Sequence, residues 1–253
     1  MIGVFDSGSG GLTVVHAIQK LAPRADIFYL ADTAHLPYGA RSDEDIKQLA
    51  LRAIATLRAA KATTIVSACN SVSASVIRPM IELLGVRESD VVEMVGPAIQ
   101  ELIRRGITRA AVLATPATIR SGMYTSVASR YGIHLHGIAC PNLAEIIEHA
   151  TSSQDVTRAV KKALVQVPLS YSSILLGCTH YPLIADVFTA VANELGRQCT
   201  FIDPADAVAM DVLHLHGVQG NGMLRLCCTG PAKTVSQYAR MLLGENAAGV
   251  VST

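Results

Sequence analysis

Two cysteines stand at matching places in the sequence, each just after a short apolar run typical of a buried strand. Cys69 follows residues 64–67 and Cys178 follows residues 173–176, 109 positions further on. A thiol between a strand and a helix lies near backbone N–H groups of partial positive charge, so we expect its pKa to be lowered toward neutrality. Two facing thiols, one ionised and one protonated, can take a proton from one side of a carbon and return one to the other. Such a pair inverts a stereocentre without a cofactor.

Two further landmarks recur in the same order at nearly the same offset. Asp6 matches Thr115, 109 positions apart, because each stands where an apolar run breaks into a polar loop, and Pro97 matches Pro204 at an offset of 107. Three matches in register indicate a duplicated α/β unit. If the two units pack as pseudo-twofold mates, the two cysteines face each other across a cleft.

Short apolar runs alternate with longer stretches of helical period along the chain, which is the pattern of parallel sheets covered by helices. We predict strands over residues 2–5, 27–30, 64–67, 111–114 and 173–176, and helices over residues 43–59 and 156–165. The fold class is therefore α/β, with two pseudo-twofold-related parallel-sheet domains and the active site in the cleft between them. The first domain is predicted to comprise residues 1–97 and 205–253, because a strand-like run at 223–228 returns to it, and the second residues 98–204.

Composition and charge exclude several classes of protein. The 253 residues are 50% hydrophobic and 16% charged, with a formal net charge of +1, so the chain is too apolar to be disordered and nucleic acid is not expected as a main partner. The longest uncharged stretch, residues 163–185, is interrupted by prolines and polar residues, so no membrane span is expected. Without a disulfide pattern or a signal peptide, a cytoplasmic protein with reduced thiols is expected.

Polar residues at the same strand ends could bind a small substrate. His180, two residues past Cys178, could orient or protonate a neighbour. The Gly-rich loop at residues 6–11 could cradle an anion or simply make a tight turn, and it lacks the Gly-Lys-Ser/Thr ending of a P-loop. No histidine pair has a third ligand at zinc spacing, so no metal site is expected. Hydroxyl and amide side chains that could bind a carboxylate or ammonium group, with Asp6 as a charged partner, are those of Ser7, Asn70, Ser71, Thr118 and Thr179.

Four motifs in order along the chain are specific enough to indicate a family. They are Phe5 to Leu12 (FDSGSGGL), Ala31-Asp32 with Pro37-Tyr38-Gly39, Ala68 to Ser71 (ACNS), and Leu176 to Leu183 (LGCTHYPL). With these motifs the chain resembles the glutamate racemases, cofactor-independent enzymes that make D-glutamate for peptidoglycan. The resemblance implies two α/β domains with the active site between them, no cofactor and usually a homodimer.

The resemblance also implies roles for single residues. Cys69 would deprotonate D-glutamate and Cys178 would deprotonate L-glutamate, each protonating the product of the other direction. Asp6 would assist Cys69, while Glu148 with His180 would assist on the other face. Substrate would be bound by Ser7, Pro37, Tyr38, Gly39, Asn70, Ser71, Thr118 and Thr179.

Several alternatives remain open from the sequence. Ser71 and Val72 stand where the family usually has Thr followed by a small residue, so a hydroxyl is kept but the pocket would be narrowed. The same thiols could serve a related racemase or isomerase for aspartate, hydantoins or maleate, although His180 stands where aspartate racemases typically carry Glu. A two-lobed protein that closes over an amino acid without chemistry, or a phosphate-binding enzyme built on the Gly-rich loop, are further hypotheses.

Overall fold

The chain folds around two parallel β-sheets. The computed structural model describes residues 1–149, 152–217, 219–244 and 249–252. The strands are β1 (Ile2–Asp6), β2 (Ile27–Ala31), β3 (Thr64–Ser67), β4 (Val91–Val92), β5 (Arg109–Ala114), β6 (His134–Ala139), β7 (Ser173–Gly177), β8 (Thr200–Ile202), β9 (Leu224–Cys228) and β10 (Val250–Ser252). The six-stranded sheet has the order β10-β9-β2-β1-β3-β4 and the four-stranded sheet the order β6-β5-β7-β8. The predicted α/β fold with two parallel sheets is therefore confirmed.

The strand order repeats between the two sheets, as the sequence offset led us to expect. The series β2-β1-β3-β4 of the first sheet corresponds to β6-β5-β7-β8 of the second. Every strand pair in both series is parallel. The strands β3 and β7, which precede the two cysteines, therefore occupy equivalent places, and β9 and β10 extend the first sheet beyond β2.

Helices cover both faces of each sheet. They are α1 (Leu12–Leu21), α2 (Asp43–Ala59), α3 (Asn70–Val72), α4 (Arg78–Met80), α5 (Val95–Arg104), α6 (Pro116–Arg120), α7 (Met123–Ser129), α8 (Leu143–Glu148), α9 (Ser153–Leu164), α10 (Ala185–Glu194), α11 (Ala205–His216) and α12 (Lys233–Leu243). A π-helical segment, Ser73–Ile77, joins α3 to α4. The helix predicted at 156–165 begins three residues earlier, because the Ser152 side chain accepts a hydrogen bond from the Asp155 backbone N–H and caps it.

Alternating residues of each strand supply separate hydrophobic cores on the two faces of the sheets. In β2, Ile27 and Tyr29 pack toward α1 and α11, whereas Phe28 and Leu30 pack toward α2. Strands buried on both faces explain the continuous apolar runs in the sequence. Helix α5 packs on the four-stranded sheet, so the chain crosses to that sheet close to the predicted boundary at residue 97. The division into folding domains stays a prediction.

No helix within the described residues is both long and apolar enough to cross a membrane.

Candidate active site

A cavity of about 260 Å³ lies where the carboxyl ends of the two sheets' strands meet. Open parallel sheets commonly bind ligands at these ends, because loops and helix N-termini converge there. The residues around the cavity are Asp6, Ser7, Leu36, Pro37, Tyr38, Gly39, Ala40, Cys69, Asn70, Ser71, Thr115, Pro116, Arg120, Cys140, Pro141, Asn142, Ala144, Glu145, Cys178, Thr179 and His180. The site residues predicted from sequence all line this cavity except Thr118 and Glu148, which lie behind it.

Cys69 follows β3 and is buried at the start of the helical run that contains α3. Its sulfur donates a weak hydrogen bond to Ser7 Oγ, at 3.8 Å. Burial raises the pKa of the thiol, and the nearby Asp6 raises it further, while the backbone N–H of Val72 opposes both. The expected lowering by the helix N-terminus is therefore wrong for this thiol, since the cost of burying a thiolate exceeds the gain from backbone N–H groups.

Cys178 follows β7 and has an imidazole beside it. Its sulfur lies 3.9 Å from His180 Nδ1, and His180 Nε2 lies 2.6 Å from Glu148 Oε2. All three side chains are buried. Burial alone would lower the pKa of His180, but its bonds to Cys178 and Glu148 outweigh burial and raise the pKa well above the ordinary value. The arrangement favours an imidazolium next to the Cys178 sulfur.

Glu148 is held by the Gly-rich loop of the other sheet. Both the backbone N–H and the hydroxyl of Ser9 donate to Glu148 Oε2, at 3.0 and 2.5 Å. Burial would raise the pKa of Glu148, but His180 and Ser9 hold it below its usual value. The carboxylate therefore stays ionised although it is buried.

Asp6 ends β1 and bridges the loop to the opposite sheet. Its Oδ2 accepts from the Gly11 backbone N–H at 2.5 Å and from Thr179 Oγ1 at 3.1 Å, while Oδ1 has no hydrogen-bond partner among the described residues. Burial raises the pKa of Asp6, and the positive charge of His180 opposes this. Groups of the loop thus donate to two carboxyl groups of the protein itself, Ser9 to Glu148 and Gly11 to Asp6.

A chain of hydroxyl groups crosses between the sheets beside Cys69. Ser71 Oγ lies 2.9 Å from Thr115 Oγ1, which lies 3.0 Å from Thr118 Oγ1. Thr115 lines the cavity, whereas Thr118 contacts it only through this chain. Sequence reasoning paired Thr115 with Asp6 in the repeat but did not predict it as a site residue, although that equivalence could have identified it.

Two cavity residues are oriented by buried partners. The Tyr124 hydroxyl donates to Asn70 Oδ1 at 2.5 Å, and Asn70 Nδ2 has no partner among the described residues, so a donor is left for a bound molecule. The Tyr38 hydroxyl donates to Asp32 Oδ2 at 2.5 Å. Asp32 also accepts from Thr229 at 2.5 Å, which fixes the segment around Tyr38 against the end of β9.

Charged and thiol side chains that the sequence did not indicate also line the cavity. Arg120, Cys140 and Glu145 do so. Glu145 and Glu148 share α8, yet only Glu148 is turned inward onto His180. The sequence alone does not show which face of such a short helix is buried, because six residues make fewer than two turns.

The described residues contain no group of three or more His, Cys, Asp or Glu side chains arranged to hold a metal ion. Hydroxyl and amide groups are among the polar groups around the cavity. Hydroxyl and amide groups of this kind suit hydrogen bonding to a small polar molecule.

Comparison with known proteins agrees with this geometry. A glutamate racemase from Acidothermus cellulolyticus is 35% identical over 257 residues, covering 96% of this chain and 95% of that protein. One from Roseiflexus is 37% identical over 234 residues, covering 88% and 81%. The crystal structure of a glutamate racemase isoform from Bacillus anthracis superposes with a TM-score of 0.86 at 29% identity, covering 100% of this chain and 97% of that one. The family model of Asp/Glu/hydantoin racemases matches residues 2–212, and the chain belongs to that family.

Proposed function

We propose that the protein is a glutamate racemase that interconverts L- and D-glutamate by two-base proton transfer between Cys69 and Cys178, without a cofactor. The observation that carries the proposal is that two cysteines at equivalent strand ends of two sheets of the same strand order line one small cavity. The glutamate racemases that match most of the chain support glutamate as the substrate.

The reaction would begin with one sulfur as a thiolate and the other as a thiol. For L-glutamate, the Cys178 thiolate takes the α-proton, and the electron pair of the broken C–H bond passes into the substrate carboxylate. The Cys69 thiol then gives its proton to the opposite face of the carbon, which forms D-glutamate. The reverse direction exchanges the two roles, with the Cys69 thiolate as base.

The two thiols would be assisted by different groups. On one side, the imidazolium of His180, stabilised by Glu148, lies next to the Cys178 sulfur and would favour its thiolate. On the other side, the buried Cys69 needs a positive charge, because burial raises its pKa. The ammonium group of a bound amino acid would supply that charge, with Asp6 as its counter-ion. Substrate binding would therefore activate Cys69.

The remaining predicted residues would bind and enclose the substrate. Unpaired or hydroxyl donors surround the cavity and would stabilise charge on the substrate carboxylate in a dry site, where such bonds are strongest. The donors proposed for this are Ser7, Asn70, Ser71 and Thr179, with Thr118 acting through the hydroxyl chain, while Pro37, Tyr38 and Gly39 would enclose the substrate.

The wider role of the protein follows from the same assignment. We propose that it supplies D-glutamate for peptidoglycan synthesis in the cytoplasm and acts as a homodimer. Sedimentation analysis of the purified protein tests the dimer directly, since a species of one chain at all concentrations would contradict it.

Incubation with L-glutamate in D₂O without added cofactor tests the activity. We expect loss of the α-proton signal by NMR together with inversion followed by circular dichroism. Exchange with L-aspartate but not with L-glutamate would change the substrate and keep the mechanism. Tight binding of L-glutamate without exchange would contradict the racemase and favour a binding protein.

A further inference from the structure

Ser9 is completely buried, and its two polar groups cross from one sheet to the other. It belongs to the loop after β1, whereas Glu148 belongs to α8 of the four-stranded sheet. Its N–H and hydroxyl both reach the same carboxylate oxygen, at 3.0 and 2.5 Å. That oxygen also lies 2.6 Å from His180 Nε2. Three donors therefore converge on one oxygen of a buried carboxylate.

The neighbouring glycines allow this close approach. A Cβ atom at Gly8 would lie 3.0 Å from Glu148 Oε2, and one at Gly10 would lie 2.6 Å from His180 Nδ1. A side chain at either place would push the loop away from the pair. The Gly-Ser-Gly sequence thus lets the Ser9 hydroxyl reach the carboxylate, because the residues on either side have no side chain to keep the loop away.

We propose that Ser9 is a positioning residue for the racemase reaction, which keeps Glu148 ionised and thereby keeps the shared proton on His180, next to Cys178. This inference rests on the proposed function. A hydrogen bond in which one partner is ionised is stronger than one between neutral groups. The groups that donate to Glu148 therefore favour the imidazolium–carboxylate pair over the neutral pair. Without the hydroxyl, the carboxylate binds a proton more readily.

The other titratable groups around the pair do not replace Ser9. Asp6 interacts with both members, and it is engaged by Gly11 and Thr179. Tyr29 and Tyr238 also face Glu148, and burial raises the pKa of each. Their hydroxyls donate to backbone oxygens, of Gly8 and Ile147, rather than to Glu148.

The variant Ser9→Ala removes only the hydroxyl donor and leaves the backbone N–H in place. Protonation of Glu148 should then occur at higher pH, by about one unit, since a bond to a charged group is worth roughly that much. We expect the acid limb of the pH profile of kcat/KM to move to higher pH by about one unit, with either L-glutamate or D-glutamate as the substrate. On that limb the activity should be about tenfold below wild type, while the plateau at higher pH should be nearly unchanged.

A matched control removes a buried serine hydroxyl that does not contact Glu148. Ser75 is also buried, and its hydroxyl has no partner among the described residues, so Ser75→Ala should leave the pH profile where it is. The conservative variant Ser9→Thr keeps a hydroxyl and should restore the wild-type limb. If Ser9→Ala fails to fold, Ser9→Gly provides the same test, because the loop already contains glycine on both sides.

Carbon-13 NMR of the Glu148 carboxyl group separates this proposal from the proposed function. The signal is identified by its loss in Glu148→Gln, and its titration in Ser9→Ala should move to higher pH whether or not the protein turns over glutamate. An unmoved titration, or a loss of activity equal at every pH, would overturn the role of Ser9. Absence of racemisation by the wild type would contradict only the assigned reaction.

Discussion

The sulfur of Cys178 lies 3.9 Å from Nδ1 of His180, whereas the sulfur of Cys69 donates to the hydroxyl of Ser7. The two sheets share a strand order, but the two thiols do not share an environment. One thiol has a positively charged neighbour built into the protein. The other thiol is buried near Asp6, and both its burial and that carboxyl group disfavour the thiolate.

Replacement of either Cys69 or Cys178 by alanine should lower racemisation by at least about 100-fold, because a positioned acid or base typically contributes about 10²–10⁴-fold. Circular dichroism started from each enantiomer measures the effect. Cys199, a free thiol outside the cavity lining, provides the control, and Cys199→Ala should keep full activity. Wild-type turnover by either active-site variant would rule out the two-base mechanism.

Thr115→Val should lower kcat/KM by about 2-fold to 10-fold, since it breaks the hydroxyl chain that holds Ser71 and a neutral hydrogen bond is worth about 0.5–1.5 kcal/mol. Valine has nearly the shape of threonine, so packing changes little. Steady-state kinetics with L-glutamate measure the loss. Thr189→Val, on the exposed side of α10, is the control and should leave kcat/KM unchanged. If Thr115→Val also left kcat/KM unchanged, the chain of hydroxyl groups would have no role in substrate binding.

Tyr38→Phe should destabilise the fold by about 1.5–3 kcal/mol, the usual cost of losing a hydrogen bond to a charged group. The hydroxyl lies 2.5 Å from Asp32 Oδ2 and the ring is almost completely buried. Urea unfolding measures the free energy. The control is Tyr131→Phe, because that ring is 55% exposed, and equal stability of both variants would show that the Asp32 bond contributes nothing.

Glu148→Gln should reduce stability most at neutral pH. The folded pKa of Glu148 lies below its ordinary value of 4.5, so its ionised form contributes stability above about pH 4.5, and this is lost as pH falls through the lower, folded value. For His180 the sign is opposite: its raised pKa contributes stability below about pH 6.5 that is lost as pH rises through the folded value.

Urea unfolding of the wild type and of Glu148→Gln at several pH values measures how the contribution of Glu148 to stability depends on pH. The difference in free energy of unfolding should shrink as the pH falls below about 4.5. A difference that grew toward acid pH would mean that the folded pKa of Glu148 lies above its usual value instead of below it.

Much of this site follows from the sequence because it lies at strand ends that repeat. The offset of 109 residues between Cys69 and Cys178 identified equivalent places in two sheets, and the polar residues next to them line the same cavity. The inward turn of Glu148 followed only from family resemblance, since nothing in a six-residue helix indicates which acidic residue is buried. The pKa of Cys69 was predicted in the wrong direction, because burial depends on contacts from the whole fold.

The close packing of Gly10 against His180 has a consequence for recombining related genes. A Cβ atom at Gly10 would lie 2.6 Å from His180 Nδ1, and these two residues belong to loops of different sheets. A chimaera that takes the first sheet from one relative and the second from another would have to inherit a compatible glycine loop and histidine together. The two halves of the molecule, although built on one repeated plan, are therefore not interchangeable modules.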